Sequence, residues 1–390
     1  MADRIKIAAV VTAYYPRSHA DVIVTKFLKG FPTDEGFQEP RVDLVSMYLD
    51  QIAEKDIGVK LAEEHGIPIF PSIPGALTLG GKDLAVDGVL LIGEHGDYAW
   101  NEKEQHLYPR RFFFEQICGM FATSGRSVPV YSDKHLSYNW TDAKWMYDRA
   151  KALNVPFMAG SSAPLVWRSP WLEYDLETPL EEAISIGHGG LESYGFHALE
   201  VLQCMVERRV GGETGIQAVQ CLEGDDVWKA RDEKRWSQAL AEAACGAIQE
   251  KAEGKMEVLC ENPAVFLIEY SDGLKGAMLM LNGYVRERGF AGRVAGRVQG
   301  TRISNLRTEP HSHFSYLGLN IQEMFLTHKP QYPVERTLLI SGALEALMDS
   351  RYRGHVRVET PHLDVSYQSY EKLPIRPRGP KPSGASLIPL

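Results

Sequence analysis

A chain of 390 residues, 44% hydrophobic and 24% charged, can bury the cores of two globular domains and lacks the composition of a disordered or fibrous protein. Its formal charge of -9 argues against a general nucleic-acid binder, which would need a basic stripe. Five scattered cysteines without a CxxC pair read as reduced thiols, and no apolar run reaches membrane-spanning length, so a soluble cytoplasmic protein with no membrane or nucleic-acid partner is expected.

Ile5 to Val11 is short, apolar and β-branched, the pattern of a buried parallel strand. After the loop Thr12 to Arg17, Ser18-His-Ala-Asp21 has capping-box spacing, and Val22, Ile23, Phe27 and Leu28 recur at helical intervals up to Gly30. Further strands are expected at Arg41 to Met47, Ile67 to Phe70, Val86 to Ile92, Val128 to Ser132 and Val155 to Ala159. Helices are expected at Asp56 to His65, Arg110 to Thr123, and from a Thr141 cap to Leu153. That alternation predicts βαβ units, hence an α/β, doubly wound parallel sheet of Rossmann-like type over residues 1–162.

Beyond Ser162 the pattern changes. Pro164 to Tyr174 reads as a crossover, Glu192 to Arg208 as a helix, and Val265 to Tyr270 with Lys275 to Leu281 as a hairpin turning at Ser271-Asp-Gly273. More strand is expected in Val285 to Arg302 and a helix in Pro333 to Met348. Residues 163–371 therefore read as an α+β domain with a mostly antiparallel open sheet and helices to one side. Residues 372–390 read as a Pro-rich extended tail, with Leu387 and Ile388 suited to lie across a neighbouring chain.

The C-terminal ends of strands in an open α/β sheet face the ligand crevice. The first such loop, Thr12-Ala-Tyr-Tyr-Pro-Arg-Ser-His19, contains no glycine. Bulky Tyr14 and Tyr15 and rigid Pro16 occupy the segment that should be smallest, so a nucleotide is either held differently, through Thr12, Arg17, Ser18, His19 and free N–H groups of the following helix, or absent. Asp50, ending the second strand, suits a ribose hydroxyl and NAD rather than NADP, although an Asp at that place is often a turn residue. Glu94, His95 and Asp97 follow the fourth strand; they read as substrate contacts, as ligands of a divalent metal with His135 or His19, or as a solvated loop. Lys134 ends the fifth strand between Asp133 and His135. On the later helix Ser193 and His197 share a face, with Glu192 beside them. Alone, Lys134 would be a surface charge and His197 a core residue. Together they are the two groups needed to move a proton on a sugar hydroxyl.

Other features carry less. Trp140, Trp167 and Tyr194 could cover a sugar ring, but core packing is the default for them. Arg286, Arg288, Arg293, Arg297 and Arg302 read as a solvated sheet face before an anion site, and His188, His311 and His313 as polar loop residues before ligand contacts.

The order Asp133-Lys-His135, a helix over Trp140 to Leu153, Val155-Pro-Phe-Met-Ala-Gly-Ser161 and Trp167-Arg-Ser-Pro170 resembles the glucose-fructose oxidoreductase / inositol dehydrogenase (Gfo/Idh/MocA) family. Asp133 and Lys134 stand for that family's Glu-Lys, with His135 in place of its Pro. Ser193-Tyr-Gly-Phe-His197 matches its Asp-x-Gly-x-His helix with Ser193 in place of Asp. Val86 to Gly93 and Tyr270-Ser-Asp-Gly273 are similar to its fourth strand and its second-domain hairpin, so the resemblance spans most of residues 4–350.

The resemblance implies a carbohydrate- or polyol-directed oxidoreductase using NAD(H). Lys134 and His197 would handle the hydroxyl proton while a hydride leaves the same carbon. Substrate contacts would come from Glu94, His95, Asp97, Asp133, His135, Glu192, Ser193 and Arg168. It also implies a homo-oligomer, dimer or tetramer, joined through the open sheet. Two rivals keep the fold: a divalent-metal-dependent, NAD-independent lyase, isomerase or hydrolase acting on a carbohydrate, and a silent sugar-binding scaffold.

Overall fold

Residues 4–306, 309–377 and 379 are described in the computed structural model. The first lobe runs β1 (Ile5–Ala13), α1 (His19–Lys29), β2 (Phe31–Thr33), β3 (Gly36–Gln38), β4 (Val42–Gln51), α2 (Gly58–Glu64), α3 (Ile73–Thr78), β5 (Gly88–Ile92), α4 (Arg110–Ser124), β6 (Val130–Asp133), α5 (Trp140–Ala152) and β7 (Phe157–Gly160). Five strands form a parallel sheet in the order β4-β1-β5-β6-β7. β5, β6 and β7 are buried along their whole length, which is why their sequences are continuous apolar runs instead of alternating ones.

Two local expectations are corrected. Ile67 to Phe70 is not a strand but a single parallel bridge, Met47 to Ile69, because Pro68 and Pro71 bring no N–H to a ladder. The helix after β6 is capped by Asn139, whose side chain accepts from Asp142 N at 2.8 Å, and not by Thr141. Ser18 does cap α1, accepting from Asp21 N.

The second lobe contains β8 (Trp167–Ser169), β9 (Leu180–Gly187), α6 (Ser193–Val206), β10 (Ile216–Glu223), α7 (Asp225–Asp232), α8 (Gln238–Ala247), α9 (Met256–Leu259), β11 (Asn262–Tyr270), β12 (Lys275–Asn282), β13 (Arg288–Val294) and β14 (Arg297–Ser304). After them come α10 (His313–Thr327), α11 (Glu335–Tyr352) and β15 (Val358–Glu359). The sheet order is β15-β10-β11-β12-β9-β13-β14-β8, antiparallel throughout except for β12 with β9.

Helices cover both faces of this sheet, not one. Met278, Met280, Phe266 and Phe290 face the main core with α6, while Ile184, Ile186, Val265, Leu267 and Leu279 face a second core built with Trp236, Leu240, Ala244 and Met256. The segment α7 to α9 thus occupies the bare sheet face on which the expected oligomer contact rested. α10 packs on α1 and β2, so the first lobe is completed by a segment far beyond residue 162.

The start of the tail docks on its own chain. Ile375 N donates to Asn320 Oδ1 at 2.9 Å, Asn320 Nδ2 donates to Ile375 O at 2.7 Å, and Arg376 pairs with Glu173. Leu387 and Ile388, expected to touch a neighbour, lie outside the described residues. Among the described residues no helix is long and apolar enough to cross a membrane, and all five cysteines are buried and free.

Candidate active site

The ends of β1, β5 and β6 and the start of α6 converge on Lys134. It is 3% exposed and holds φ at +57°. Its Nζ lies 3.1 Å from Glu94 Oε1 and donates to the Ser193 carbonyl at 2.8 Å, tying the first lobe to the first turn of α6. Two of the ammonium's three donors are thereby used, and among the described residues no third acceptor is seen.

Glu94 is the hub. Arg110, fully buried at the start of α4, reaches its Oε2 at 2.5 Å. Gly93 is required beside it, since a Cβ there would lie 2.5 Å from Arg110 Cγ. Burial pushes the Glu94 carboxyl up, but Lys134 and Arg110 together outweigh it and hold the group well below the usual carboxylate range. Thr12 donates to the Glu94 carbonyl at 2.8 Å, and Asp133 accepts from Gly93 N at 2.7 Å and meets His19 Nδ1 at 2.6 Å. Behind them His135 Nε2 sits 3.2 Å from Glu192 Oε1.

His197 lies one turn along α6 from Ser193, half-buried, with the Tyr194 ring edge-on at 6.2 Å. Desolvation, then the charges of Lys134, Arg288 and His19, hold its imidazole well below the ordinary histidine value, so it is neutral at pH 7. Burial similarly lowers His95 to about 4, with His19 adding to it. Lys134 thus holds the first turn of α6, and its charge acts on His197 one turn further along; neither side chain lines the neighbouring cleft, whereas His19, His95 and Tyr194 do.

Those three residues form one wall of a cleft of about 600 Å³ between the lobes. Arg17, Arg286, Arg288, Asn305, His311 and His313 line the same cleft. His188 also lines it, and of the aromatic candidates only Tyr194 does so, at 46% exposed. Trp167 is wholly buried against Tyr316, and Trp140 packs on Gly342 and His362.

Several sequence expectations are not met. Arg168 is not a substrate contact: it is buried in the second lobe on Glu173 at 2.7 Å and the Leu172 and Pro164 carbonyls. Asp97 is exposed and turned toward β4, where its backbone exchanges hydrogen bonds with the Gln51 amide at 2.7 and 3.0 Å, so no Glu94/His95/Asp97 metal set is assembled. Arg293 and Arg297 lie at the far end of their hairpin from Arg286 and Arg288. Conversely, Arg110 was missed; its one signal is the Tyr-Pro-Arg-Arg run that follows the acidic loop.

No family model and no curated sequence matches this chain. Solved structures do. GenD2 from gentamicin A biosynthesis, in complex with NAD, is 16% identical at a TM-score of 0.56, over 92% of this chain and 97% of that one. Scyllo-inositol dehydrogenase from Lactobacillus casei, with bound NAD(H) and scyllo-inositol, is 11% identical at 0.56, over 92% and 99%. A myo-inositol dehydrogenase from Corynebacterium glutamicum is 11% identical at 0.54, with the same coverage. This chain has the inositol-dehydrogenase fold. That is the fold its motifs resembled, carried at a large sequence distance.

In a sheet of this kind a dinucleotide lays its pyrophosphate on the N-terminus of the first helix. Here that end is already supplied with acceptors: His19 N donates to His95 Nδ1 at 3.3 Å, Asp21 N to Ser18 Oγ at 3.3 Å and Arg17 N to Asp21 Oδ2 at 2.7 Å. Tyr14, 1% exposed, is anchored by Thr25 at 2.7 Å and fills the space above Gly58. At the ribose end the exposed Asp50 accepts one hydrogen bond on each oxygen, from Tyr48 at 2.7 Å and Tyr98 at 2.6 Å. The residues present do not fit the usual inositol-dehydrogenase dinucleotide cradle. A divalent metal fits no better. His19, Glu94 and Asp133 present ligand atoms within 4.8 Å of one another, but Lys134 and Arg110 already supply the positive charge there.

Proposed function

We propose that the chain is a carbohydrate- or polyol-directed enzyme that moves a proton at a substrate hydroxyl, with Lys134 and His197 as the working pair. The observation that carries this reading is a buried ammonium anchored on Glu94 and on the carbonyl of Ser193, the residue one helical turn before the neutral imidazole of His197, on which that ammonium's charge acts. With the His19, His95 and Tyr194 side chains that line the cleft moved aside, Lys134 would give its third N–H to the substrate oxygen and stabilise negative charge there. His197 would accept the hydroxyl proton, which a neutral imidazole can do at pH 7. Glu94 keeps the ammonium in place, and Arg110 keeps Glu94 ionised. His135 and Glu192 position the loop and the helix start from behind.

The likeness to NAD-binding dehydrogenases supports an oxidoreductase, in which the same carbon would also lose a hydride. A second reading, with no nucleotide, is favoured by the crowded crevice. His197 would take the proton from the carbon beside the carbonyl of an open-chain sugar, Lys134 would stabilise the enediolate oxygen, and the proton would return to the neighbouring carbon, as in an isomerase. One experiment separates them. The protein is incubated with inositols, aldoses and sugar acids, following reduced nicotinamide after addition of NAD or NADP. Parallel samples in D₂O without nucleotide are followed by NMR for deuterium entering the sugar carbon. Nicotinamide reduction supports the oxidoreductase; deuterium incorporation without nucleotide supports proton transfer. Neither signal, with every class of sugar tried, overturns the proposal.

A further inference from the structure

Two imidazoles in the cleft lining, His19 and His95, have their tautomers fixed by the protein. His19 Nδ1 lies 2.6 Å from Asp133 Oδ2, and a carboxylate oxygen accepts, so Nδ1 carries the proton and Nε2 is the nitrogen left over. His95 is set the other way round. Its Nδ1 accepts from His19 N at 3.3 Å, which puts its ring proton on Nε2, and burial, lowering it to about 4, keeps the ring uncharged at pH 7.

Both remaining nitrogens are open to the cleft. Neither Nε2 has a hydrogen-bond partner among the described residues, neither is among the polar atoms sealed from solvent, and both rings line the cavity. The His19 ring is held in place by Asp133, by His95 edge-on with ring centres 4.9 Å apart, and by Phe314 at 6.1 Å. Asp133 is itself fixed: it is 1% exposed, and its other oxygen accepts from Gly93 N at 2.7 Å. A buried carboxylate behind an imidazole that faces an open cavity makes the histidine a proton acceptor. It sets the tautomer and balances the charge of the imidazolium that forms.

We propose that His19, oriented by Asp133, is an acid–base residue of the cleft, with His95 as a hydrogen-bond donor beside it. In its step a substrate O–H bond breaks, the proton is bound on His19 Nε2, and the electron pair stays on the oxygen; the reverse step returns the proton. His95 Nε2–H donates to the same ligand. This goes beyond the reading of Lys134 and His197 as the working pair. Those groups meet a ligand only once the rings in front of them move, whereas His19 meets a hydroxyl in the arrangement as it stands. His19 is the catalytic residue here, and Asp133 a positioning residue that acts through it.

The first test needs no substrate. Diethyl pyrocarbonate labels an imidazole nitrogen with an accessible lone pair, and peptide mapping of the full chain treated at pH 7 is expected to find His19 labelled and His95 unlabelled. In Asp133→Asn the amide oxygen stays with Gly93 N, so its NH₂ faces His19 Nδ1 and the ring proton moves to Nε2. Labelling of His19 should then fall by about tenfold or more. A His19 that stays unlabelled in the parent, or is labelled equally in Asp133→Asn, overturns the inference and leaves the Lys134–His197 reading untouched.

The second test applies the nicotinamide and deuterium assays to His19→Asn, whose amide keeps a donor to Asp133 and loses the nitrogen that faces the cleft. Turnover is expected to fall about 100-fold or more, with KM little changed and the melting temperature of the parent. His19→Asn as active as the parent overturns the inference, and an inactive His197→Gln beside it leaves the other reading standing alone. An inactive His19→Asn beside an active His197→Gln keeps the inference and removes His197 as the base. Loss in both variants keeps both groups, acting on different protons. A parent that turns over none of the sugars overturns the inference and the reading together.

Discussion

Lys134 Nζ and Glu94 Oε1, 3.1 Å apart and both almost wholly buried, form an ion pair within the first lobe from which Lys134 also reaches the Ser193 carbonyl of the second. A buried pair of this kind is expensive to break from one side, because the remaining charge keeps its desolvation cost without its partner. Lys134→Met is therefore expected to lower the unfolding free energy by about 3 kcal/mol, in addition to removing turnover. Glu94→Gln should cost a similar amount by orphaning Lys134 and Arg110. The double variant should lose less than the sum of the two, by roughly 1–3 kcal/mol. Denaturant unfolding of all four proteins measures this; strict additivity would mean that the pair does not interact.

Glu200 gives a pH dependence with a definite sign. It is buried one turn beyond His197, and burial raises its carboxyl to about 7 against the pull of Ser161 and Arg336. The folded state thus binds a proton that the unfolded chain has released, so stability falls as pH rises from about 4.5 through 7. Glu200→Gln should flatten that fall, which amounts to about 3 kcal/mol for a shift of this size. Urea unfolding at pH 5 and pH 8 shows it as a smaller difference in the variant than in the parent.

The buried histidines act in the opposite direction. Desolvation lowers His135, His197 and His313 from the ordinary value, so the unfolded chain takes up protons that the folded protein refuses. Stability contributed this way is complete above about pH 6.5 and is lost as the pH drops below it. His313→Gln should remove one proton from the acid slope, about 1.4 kcal/mol per pH unit. The readout is the slope of unfolding free energy against pH between 6 and 5. A slope unchanged from the parent would show that His313 titrates normally.

How far the sequence reached depended on whether a residue's role is written in local pattern. β1, β5, β6 and β7 were legible because fully buried strands are short apolar runs, and the β11–β12 hairpin because Ser271-Asp-Gly273 marks its turn. The pairing of Lys134 with the start of α6 was legible from the ends of those elements. α10 was not: Ser315, Leu317, Leu319, Ile321 and Met324 are buried on all sides, so no polar stripe announces a helix. Arg110 looks like a surface charge in sequence and Arg168 like a substrate contact; only their partners, Glu94 and Glu173, show both to be interior. The resemblance suggested an open crevice above α1 and a bare second sheet. The bulk of Tyr14 in the glycine-free loop is visible in sequence, whereas the covering of the second by α7 to α9 is not something local periodicity can report.

The filling of the crevice is itself testable without any ligand. Tyr14 packs its ring on Gly58, where a Cβ would stand 2.8 Å from Tyr14 Cβ and Cδ1. The tyrosine cannot retreat, because its hydroxyl is held by Thr25 at 2.7 Å and the ring is closed in by the core. Gly58→Ala should therefore destabilise the protein by about 1–3 kcal/mol, the usual cost of forcing a carbon into a packed interior. Tyr14→Gly removes the obstacle, so Gly58→Ala placed on that background should cost less than on the parent, the difference being the energy of the clash. Equal costs on the two backgrounds, measured by urea unfolding, would show that Tyr14 is not what a side chain at position 58 meets. The same pair of variants then serves a second purpose. If the aromatic ring is what keeps a dinucleotide out, Tyr14→Gly should raise the affinity for NAD in titration, whereas Gly58→Ala on the parent should not.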